Sequence, residues 1–125
     1  MRDSKKKTEL KRLLKIFEPY ISKNRNFDFL FSERYGCIRL CSPAMDGDVE
    51  VEPIHSPKEL VGRLVYEMIQ DYCFQTTPSL KRITSEDIEK IRRKNKRYLD
   101  CIPEYEKVVK KEFSDFNRNS WGPWD

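Results

Sequence analysis

The chain has 125 residues, and 25 lysines and arginines against 21 aspartates and glutamates leave it a formal net charge of +4. This length is sufficient for a core of its own, so we expect a single domain over residues 1–125. No apolar run approaches the roughly twenty residues of a membrane-spanning helix, and no apolar stretch follows the basic N-terminus as it would in a secretory signal. We therefore expect a cytoplasmic protein that does not associate with membranes.

Charge is unevenly distributed along the chain. Summed by segment, the formal charge is +6 over residues 1–26, −4 over 27–57, −1 over 58–80 and +3 over 81–125. The acidic middle contains a cluster of carboxylates at Asp46, Asp48, Glu50 and Glu52. Such polarity indicates binding partners without naming them, and a net +4 is weaker than is typical of nucleic-acid-binding proteins.

The first predicted element is an amphipathic helix from about Thr8 to Glu18, ended by Pro19. Its apolar residues follow helical spacing at Leu10, Leu13, Leu14 and Phe17. We expect the lysine-rich residues before Thr8 to form a flexible basic N-terminus over about residues 1–7.

A three-stranded antiparallel meander is expected next, from Phe27–Phe31, Cys37–Cys41 and Val49–Glu52. Alternation predicts a buried face made of Phe27, Phe29, Phe31, Ile38, Leu40, Val49 and Val51. The other register of the second strand would bury Cys37 and Cys41, which are less apolar, so we favour the first. Turns are predicted around Gly36 and at Asp46–Gly47.

The clearest helix start follows Ser56, where serine can cap, Pro57 fits the first helical position and Glu59 lies three residues after the cap. This predicted central core helix carries an apolar stripe at Leu60, Val61, Leu64, Val65, Met68, Ile69 and Tyr72. We expect this stripe to cover the buried face of the meander.

A C-terminal helical hairpin completes the predicted α+β fold. Its first helix opens at Thr84–Asp87 and carries Ile88, Ile91, Tyr98 and Ile102 on one side. Asn95 interrupts this apolar side and therefore needs a hydrogen-bond partner. After Pro103, the second helix presents Tyr105, Val108, Val109, Glu112, Phe113 and Phe116. We expect an irregular tail over about residues 117–125.

The sequence contains no motif for phosphate or dinucleotide binding among its four glycines. The cysteines, Cys37, Cys41, Cys73 and Cys101, are expected to be reduced and to pack as small apolar residues. A zinc site and a cysteine nucleophile activated by His55 are the alternatives, and the acidic cluster lacks the later ligands of a calcium loop. We expect no catalytic, metal-binding or cofactor-binding residues, and therefore no enzymatic activity.

Two candidate contact sites remain. On the predicted helix, Lys90, Arg93, Lys94 and Arg97 share one side that is suited to lie along phosphates. In the tail, Trp121 and Trp124 either fold back onto the domain or dock a partner, since tryptophan is enriched in binding hot spots. We therefore expect a non-enzymatic protein-interaction or regulatory module with an unknown protein partner. Nucleic-acid binding through the basic helix face is the alternative, and homodimerisation through the C-terminal hairpin is compatible with both.

Overall fold

The computed structural model describes residues 2–24, 26–76 and 83–121, and the side chains of all of these except residues 2–3 and 118–121. In chain order the elements are α1 (Arg2–Lys23), β1 (Asp28–Ser32), β2 (Cys37–Pro43), β3 (Val49–Ile54), α2 (Pro57–Thr76), α3 (Ser85–Lys94), α4 (Lys96–Leu99), a 3-10 helix (Pro103–Tyr105) and α5 (Glu106–Trp121). The predicted α+β fold is confirmed. Across the described ranges, no helix combines the length and apolar character needed to cross a bilayer.

Backbone contacts divide the chain into two units, Met1–Leu60 and Val61–Asp125, and the boundary falls inside α2. The prediction of one domain over the whole chain stays a prediction.

In the first unit, α1 is longer at both ends than predicted, since it begins at Arg2 and continues beyond Pro19 to Lys23. The predicted bounds of Thr8 and Glu18 are therefore wrong, and the lysines at positions 5–7 are helical. The buried residues of this helix are Leu10, Leu13, Phe17 and Ile21. Because Ile21 extends the buried stripe past Pro19, side-chain packing stabilises the turn that proline would otherwise end.

The sheet has the predicted antiparallel order β1-β2-β3. Helix α1 contacts β1 and β2, and Lys11 Nζ lies 5.0 Å from the centre of the Phe31 ring. Ile38 and Leu40 are 0% and 2% exposed, which confirms the favoured register of β2. Phe29 lies directly opposite Leu40 and is also buried.

The burial predicted for Val49 and Val51 is wrong, because these residues are 61% and 52% exposed. Residues directly opposite each other on neighbouring strands share a face of the sheet. Val51 lies opposite Cys41, whereas buried Leu40 lies opposite Glu52. The valines therefore point to the face opposite that of Leu40. The alternation along β3 places the two valines on one face, but that face is not the buried one.

In the second unit, the stripe on α2 is confirmed as core, since Val61, Leu64, Val65, Met68 and Ile69 are at most 2% exposed. Gly62 is buried as well, and a methyl group at Gly62 would lie 3.3 Å from Glu112 Oε2 and 3.9 Å from Val108 Cγ1. The missing side chain thus allows α5 to pack closely on α2. That α2 covers the sheet stays a prediction.

The C-terminal hairpin is present, but its first helix is broken at Asn95. This residue is 6% exposed, and its Nδ2 donates to Ile91 O at 2.9 Å. The partner that the sequence required is therefore a carbonyl of the preceding helical turn. The backbone amide of Asn95 also donates to Ile91 O, and the residue ends α3 instead of continuing it.

Helix α5 continues to Trp121, so the predicted start of an irregular tail at Asn117 is wrong. Asn117 Oδ1 accepts from Ile83 N at 2.8 Å, and Asn117 Nδ2 donates to Ile83 O at 2.9 Å. These paired hydrogen bonds connect the last turns of α5 to the segment before α3. The sequence after Asn117 shows no helical periodicity, so its pattern does not predict this extension of the helix.

Candidate interaction surfaces

One edge of the sheet is formed by β3, which pairs only with β2 among the described residues. Ala44 N donates to Asp48 O at 2.8 Å in the connecting turn. Hydrogen-bonded pairs alternate along an antiparallel ladder, so this bond sets which residues of β3 bond to β2. Glu50, Glu52 and Ile54 lie at the hydrogen-bonded positions. Val49 and Val51 consequently direct their N–H and C=O groups away from β2.

The positions of two prolines agree with this alternation of hydrogen-bonded and non-hydrogen-bonded pairs. Pro53 lies opposite Arg39 and Pro43 lies opposite Val49, and both pairs fall at positions that exchange no hydrogen bonds between β2 and β3. Proline lacks an N–H and is found in sheets where the missing donor faces outward or lies at an edge.

The side chains of β3 separate by chemistry. Val49 and Val51 lie on the outer face of the sheet, which also carries the half-exposed Leu30. Glu50 and Glu52 are exposed and point to the other face. The preceding turn adds Asp46 and Asp48, which are likewise exposed. The Val49 N–H donates to Asp48 Oδ1 at 3.0 Å. This edge therefore offers the N–H and C=O groups of Val51 and the carbonyl of Val49 between an apolar row and an acidic row.

The acidic turn is built by local hydrogen bonds. Asp48 N donates to Asp46 Oδ1 at 3.0 Å, and Gly47 has a φ of +86°, which favours glycine. The predicted turn at Asp46–Gly47 is confirmed. Its carboxylates are thereby placed beside the first residues of β3.

The four cations predicted to form a basic face lie on two helices, because α3 ends at Lys94 and Arg97 belongs to α4. All four are exposed. On α3, Lys90 Nζ lies 3.5 Å from Glu86 and Arg93 lies 3.9 Å from Glu89. Exposed pairs of this kind are weak individually, but the carboxylates reduce the positive potential of the helix.

The remaining two cations of that set also have neighbours. Lys94 Nζ donates to Gln75 Oε1 at 2.6 Å, and the Arg97 guanidinium lies 5.1 Å from the centre of the Tyr98 ring. The structure thus provides an exposed but internally paired basic surface. Its role in nucleic-acid binding stays a prediction.

The tryptophan tail falls mostly outside the described residues. Trp121 is the last residue of α5, and its side chain and residues 122–125, including Trp124, are not described. Docking through these tryptophans stays a prediction.

The cysteines are free thiols: Cys37 and Cys73 are buried, Cys41 is half-buried and Cys101 is exposed. Burial raises the pKa of the Cys73 thiol, which opposes thiolate formation. His55 is exposed directly after β3. Within the described ranges, no three or more His, Cys, Asp or Glu side chains group as metal ligands would. The absence of enzymatic activity, metal and cofactor stays a prediction.

Two half-buried carboxylates in the second unit have perturbed acidity. Burial raises the pKa of Glu67 against the attraction of Arg63, whose Nε lies 3.2 Å from Glu67 Oε1. Burial, and then the charge of Asp115, raise the pKa of Glu112. Glu112 lies beside Gly62, and Glu67 is paired with Arg63, so we assign both carboxylates a structural role.

A cationic cleft in the first unit was not predicted from the sequence. It has a volume of about 280 Å³ and is lined by Lys6, Lys7, Arg34, Tyr35 and Gly36. The sequence predicts a basic tail for the lysines and a turn for residues 32–36, and neither prediction brings the two segments together. The only related feature in the sequence is an aromatic residue in the turn, Tyr35, next to Arg34.

The comparisons with known proteins add no functional evidence. No protein-family model matches the sequence, and no significant match was found among curated proteins or solved structures.

Proposed function

We propose that this chain is a small non-enzymatic protein-interaction module that binds an extended segment of a partner protein along β3. The observation that supports this proposal is the outward direction of the backbone N–H and C=O groups of Val51, together with the outward carbonyl of Val49, at exposed positions. An edge strand with unpaired groups is a template for an additional strand, a recurring mode of peptide recognition.

The side chains of β3 define the chemistry of that partner. A strand added beside β3 places alternate residues over the outer face, next to Val49 and Val51. Its intervening residues lie on the side of Glu50 and Glu52. The complementary segment therefore alternates apolar residues with lysine or arginine. Main-chain hydrogen bonds contribute to affinity, and this alternation determines specificity.

A second copy of this chain is a poor occupant of the same edge. Pairing two β3 strands brings Glu50 and Glu52 of one copy beside the same acidic row of the other, and like charges on neighbouring strands are destabilising. We therefore favour a different, basic partner. Homodimerisation through the C-terminal hairpin is a separate prediction that light scattering tests.

The test is a calorimetric titration of the full chain with a capped ten-residue peptide of alternating lysine and valine. Val51→Pro removes one outward N–H and leaves the bonds to β2 intact, as Pro53 already does on the same strand. We expect this variant to keep the wild-type circular dichroism spectrum and to bind the peptide at least tenfold more weakly.

The matched controls separate backbone pairing from charge. Val51→Ala keeps the N–H and should bind within a few-fold of the wild type, and a peptide with glutamate in place of lysine should not bind. Equal binding by Val51→Pro, or by the glutamate peptide, would refute the strand-addition proposal.

Nucleic-acid binding through Lys90, Arg93, Lys94 and Arg97 is the second proposal. It is supported by the exposure of these cations and opposed by the acidic partners on α3. A phosphate-binding face loses affinity steeply as salt rises. Charge reversal in Arg93→Glu/Arg97→Glu should abolish such binding, and retained binding would exclude this surface.

A further inference from the structure

The cleft between the start of α1 and the β1–β2 turn concentrates positive charge on two separate segments of chain. Lys6 and Lys7 come from the first turns of α1, and Arg34 comes from the turn. A methyl group at Gly36 would lie 2.8 Å from Lys7 Cε, so the lysine side chain lies directly against the turn. With a φ of +63°, Gly36 suits both the turn and this close approach.

Unlike Lys90 and Arg93 on α3, the cations of this cleft have no carboxylate partner among the described residues. The nearest acidic residue in the turn, Glu33, forms an ion pair with Lys11 instead. Lys6, Lys7 and Arg34 are thus available to bind an external anion. A phosphate group is the anion that such a set of lysine and arginine donors typically binds.

An aromatic ring lies at the edge of the same cleft. Tyr35 is 68% exposed, and the Arg34 guanidinium lies 5.6 Å from the centre of its ring. An exposed aromatic side chain beside backbone-binding cations is the arrangement by which proteins hold single-stranded nucleic acids, whose unpaired bases stack on the ring. A duplex keeps its bases stacked internally and cannot use such a ring in the same way.

We propose that this cleft binds one nucleotide of a single-stranded nucleic acid, with the phosphate between Lys6, Lys7 and Arg34 and the base stacked on Tyr35. The volume of about 280 Å³ is at the low end for ligand pockets and suits a single nucleotide unit. The site shares no residue with β3, so it stands independently of the strand-addition proposal.

Fluorescence anisotropy with a labelled ten-nucleotide oligothymidylate tests the site on the full chain. Tyr35→Ala should weaken binding about tenfold, as loss of one stacked base typically does, whereas Tyr35→Phe keeps the ring and should bind as the wild type does. Lys6→Gln/Lys7→Gln should reduce the slope of log affinity against log salt by up to about 0.7, since the site neutralises one phosphate and each phosphate on a single strand contributes about 0.7.

A matched control removes the same charge elsewhere. Lys107→Gln/Lys110→Gln also eliminates two exposed cations but lies on α5, and it should leave affinity and slope unchanged. Lys90→Gln/Arg93→Gln is titrated beside it to test the basic face on α3. All variants are compared with the wild type by circular dichroism before titration, and Phe74→Ala, which removes another exposed ring, should not affect binding.

Four results would overturn the proposal. They are equal or tighter binding of the corresponding duplex, unchanged binding by Tyr35→Ala, loss of binding only in Lys90→Gln/Arg93→Gln, and no binding of the oligonucleotide at low salt. In the last case, binding of inorganic phosphate or of anionic phospholipid vesicles would assign the cleft to a different anion.

Discussion

Asp87 shows how one side chain couples a helix cap to a neighbouring helix. Its Oδ2 accepts from Thr84 N at 2.8 Å and its Oδ1 accepts from the Tyr72 hydroxyl at 2.7 Å. The Thr84 amide, followed by the Tyr72 hydroxyl, holds the pKa of Asp87 below its ordinary value. Ionised Asp87 therefore stabilises the fold above the ordinary aspartate pKa, and this contribution is lost as pH falls through the lowered folded-state value.

Tyr72→Phe should therefore lower the free energy of unfolding at neutral pH, and the deficit relative to the wild type should shrink in acid. Urea denaturation at several pH values measures it. Tyr66→Phe is the control, because the Tyr66 hydroxyl accepts from the neutral Gln70 amide and its effect should not change with pH. A Tyr72→Phe deficit that persists at low pH would contradict the assignment.

The pKa of Glu112 is shifted in the opposite direction from that of Asp87. Because burial and Asp115 raise its pKa, the folded protein holds this proton more tightly than the unfolded chain does. The free energy of unfolding contributed by this group is therefore highest below the ordinary glutamate pKa and falls as pH rises through the raised folded-state value.

Glu112→Gln removes that penalty and should stabilise the protein at neutral pH by roughly 0.5 kcal/mol, a small value because solvent screens a half-buried carboxylate. The gain should disappear in acid. Glu89→Gln, at an exposed surface pair, should give no such pH-dependent gain. A variant less stable than the wild type at neutral pH would show that the attraction of Arg63 outweighs burial.

At the scale of elements, two prolines begin or interrupt helices with opposite consequences. Pro57 occupies the first position of α2, where its missing N–H needs no partner. Pro19 lies inside α1, where it removes a backbone hydrogen bond from the helix interior.

Pro19→Ala should therefore raise the free energy of unfolding by about 2 kcal/mol, the helix gain being partly offset by the greater freedom of the unfolded chain. Pro57→Ala should give no gain. Urea denaturation of both variants compares them directly, and equal effects would show that α1 does not continue through Pro19 in solution.

The helices were more predictable than the strands because a helical stripe identifies its buried side by spacing alone. The stripe from Leu60 to Ile69 and the cap at Thr84 could be derived from the sequence. On β3, alternation placed the valines together but could not show which face is covered. An apolar row is equally compatible with core and with an exposed docking edge, so the burial of Val49 and Val51 was predicted wrongly.

At the scale of the whole molecule, the basic face could be predicted from the sequence, whereas the cleft at Tyr35 and the edge of β3 could not. The basic face was visible because its residues lie within one short segment. The cleft at Tyr35 was not, because Lys7 and Gly36 are brought together only by the packing of α1 on the sheet. The unpaired edge of β3 similarly depends on the order of the strands.

The boundary between the two units lies within α2, and this bears on how many unfolding transitions the chain shows. The boundary separates the buried neighbours Leu60 and Val61, so neither unit contains the whole of this helix. We expect one cooperative unfolding transition in urea, with circular dichroism and amide exchange in both units following the same midpoint. Two separate midpoints would contradict a single domain.

Amide hydrogen exchange along β3, followed by NMR, is the most direct test of the central claim that this edge is unpaired and receives a strand. We expect the amides of Glu50 and Glu52 to be protected in the free protein and the amide of Val51 to exchange rapidly. On addition of the lysine–valine peptide, the Val51 amide should become protected. Protection of the Val51 amide in the free protein, or no gain of protection when the peptide is bound, would contradict strand addition at this edge.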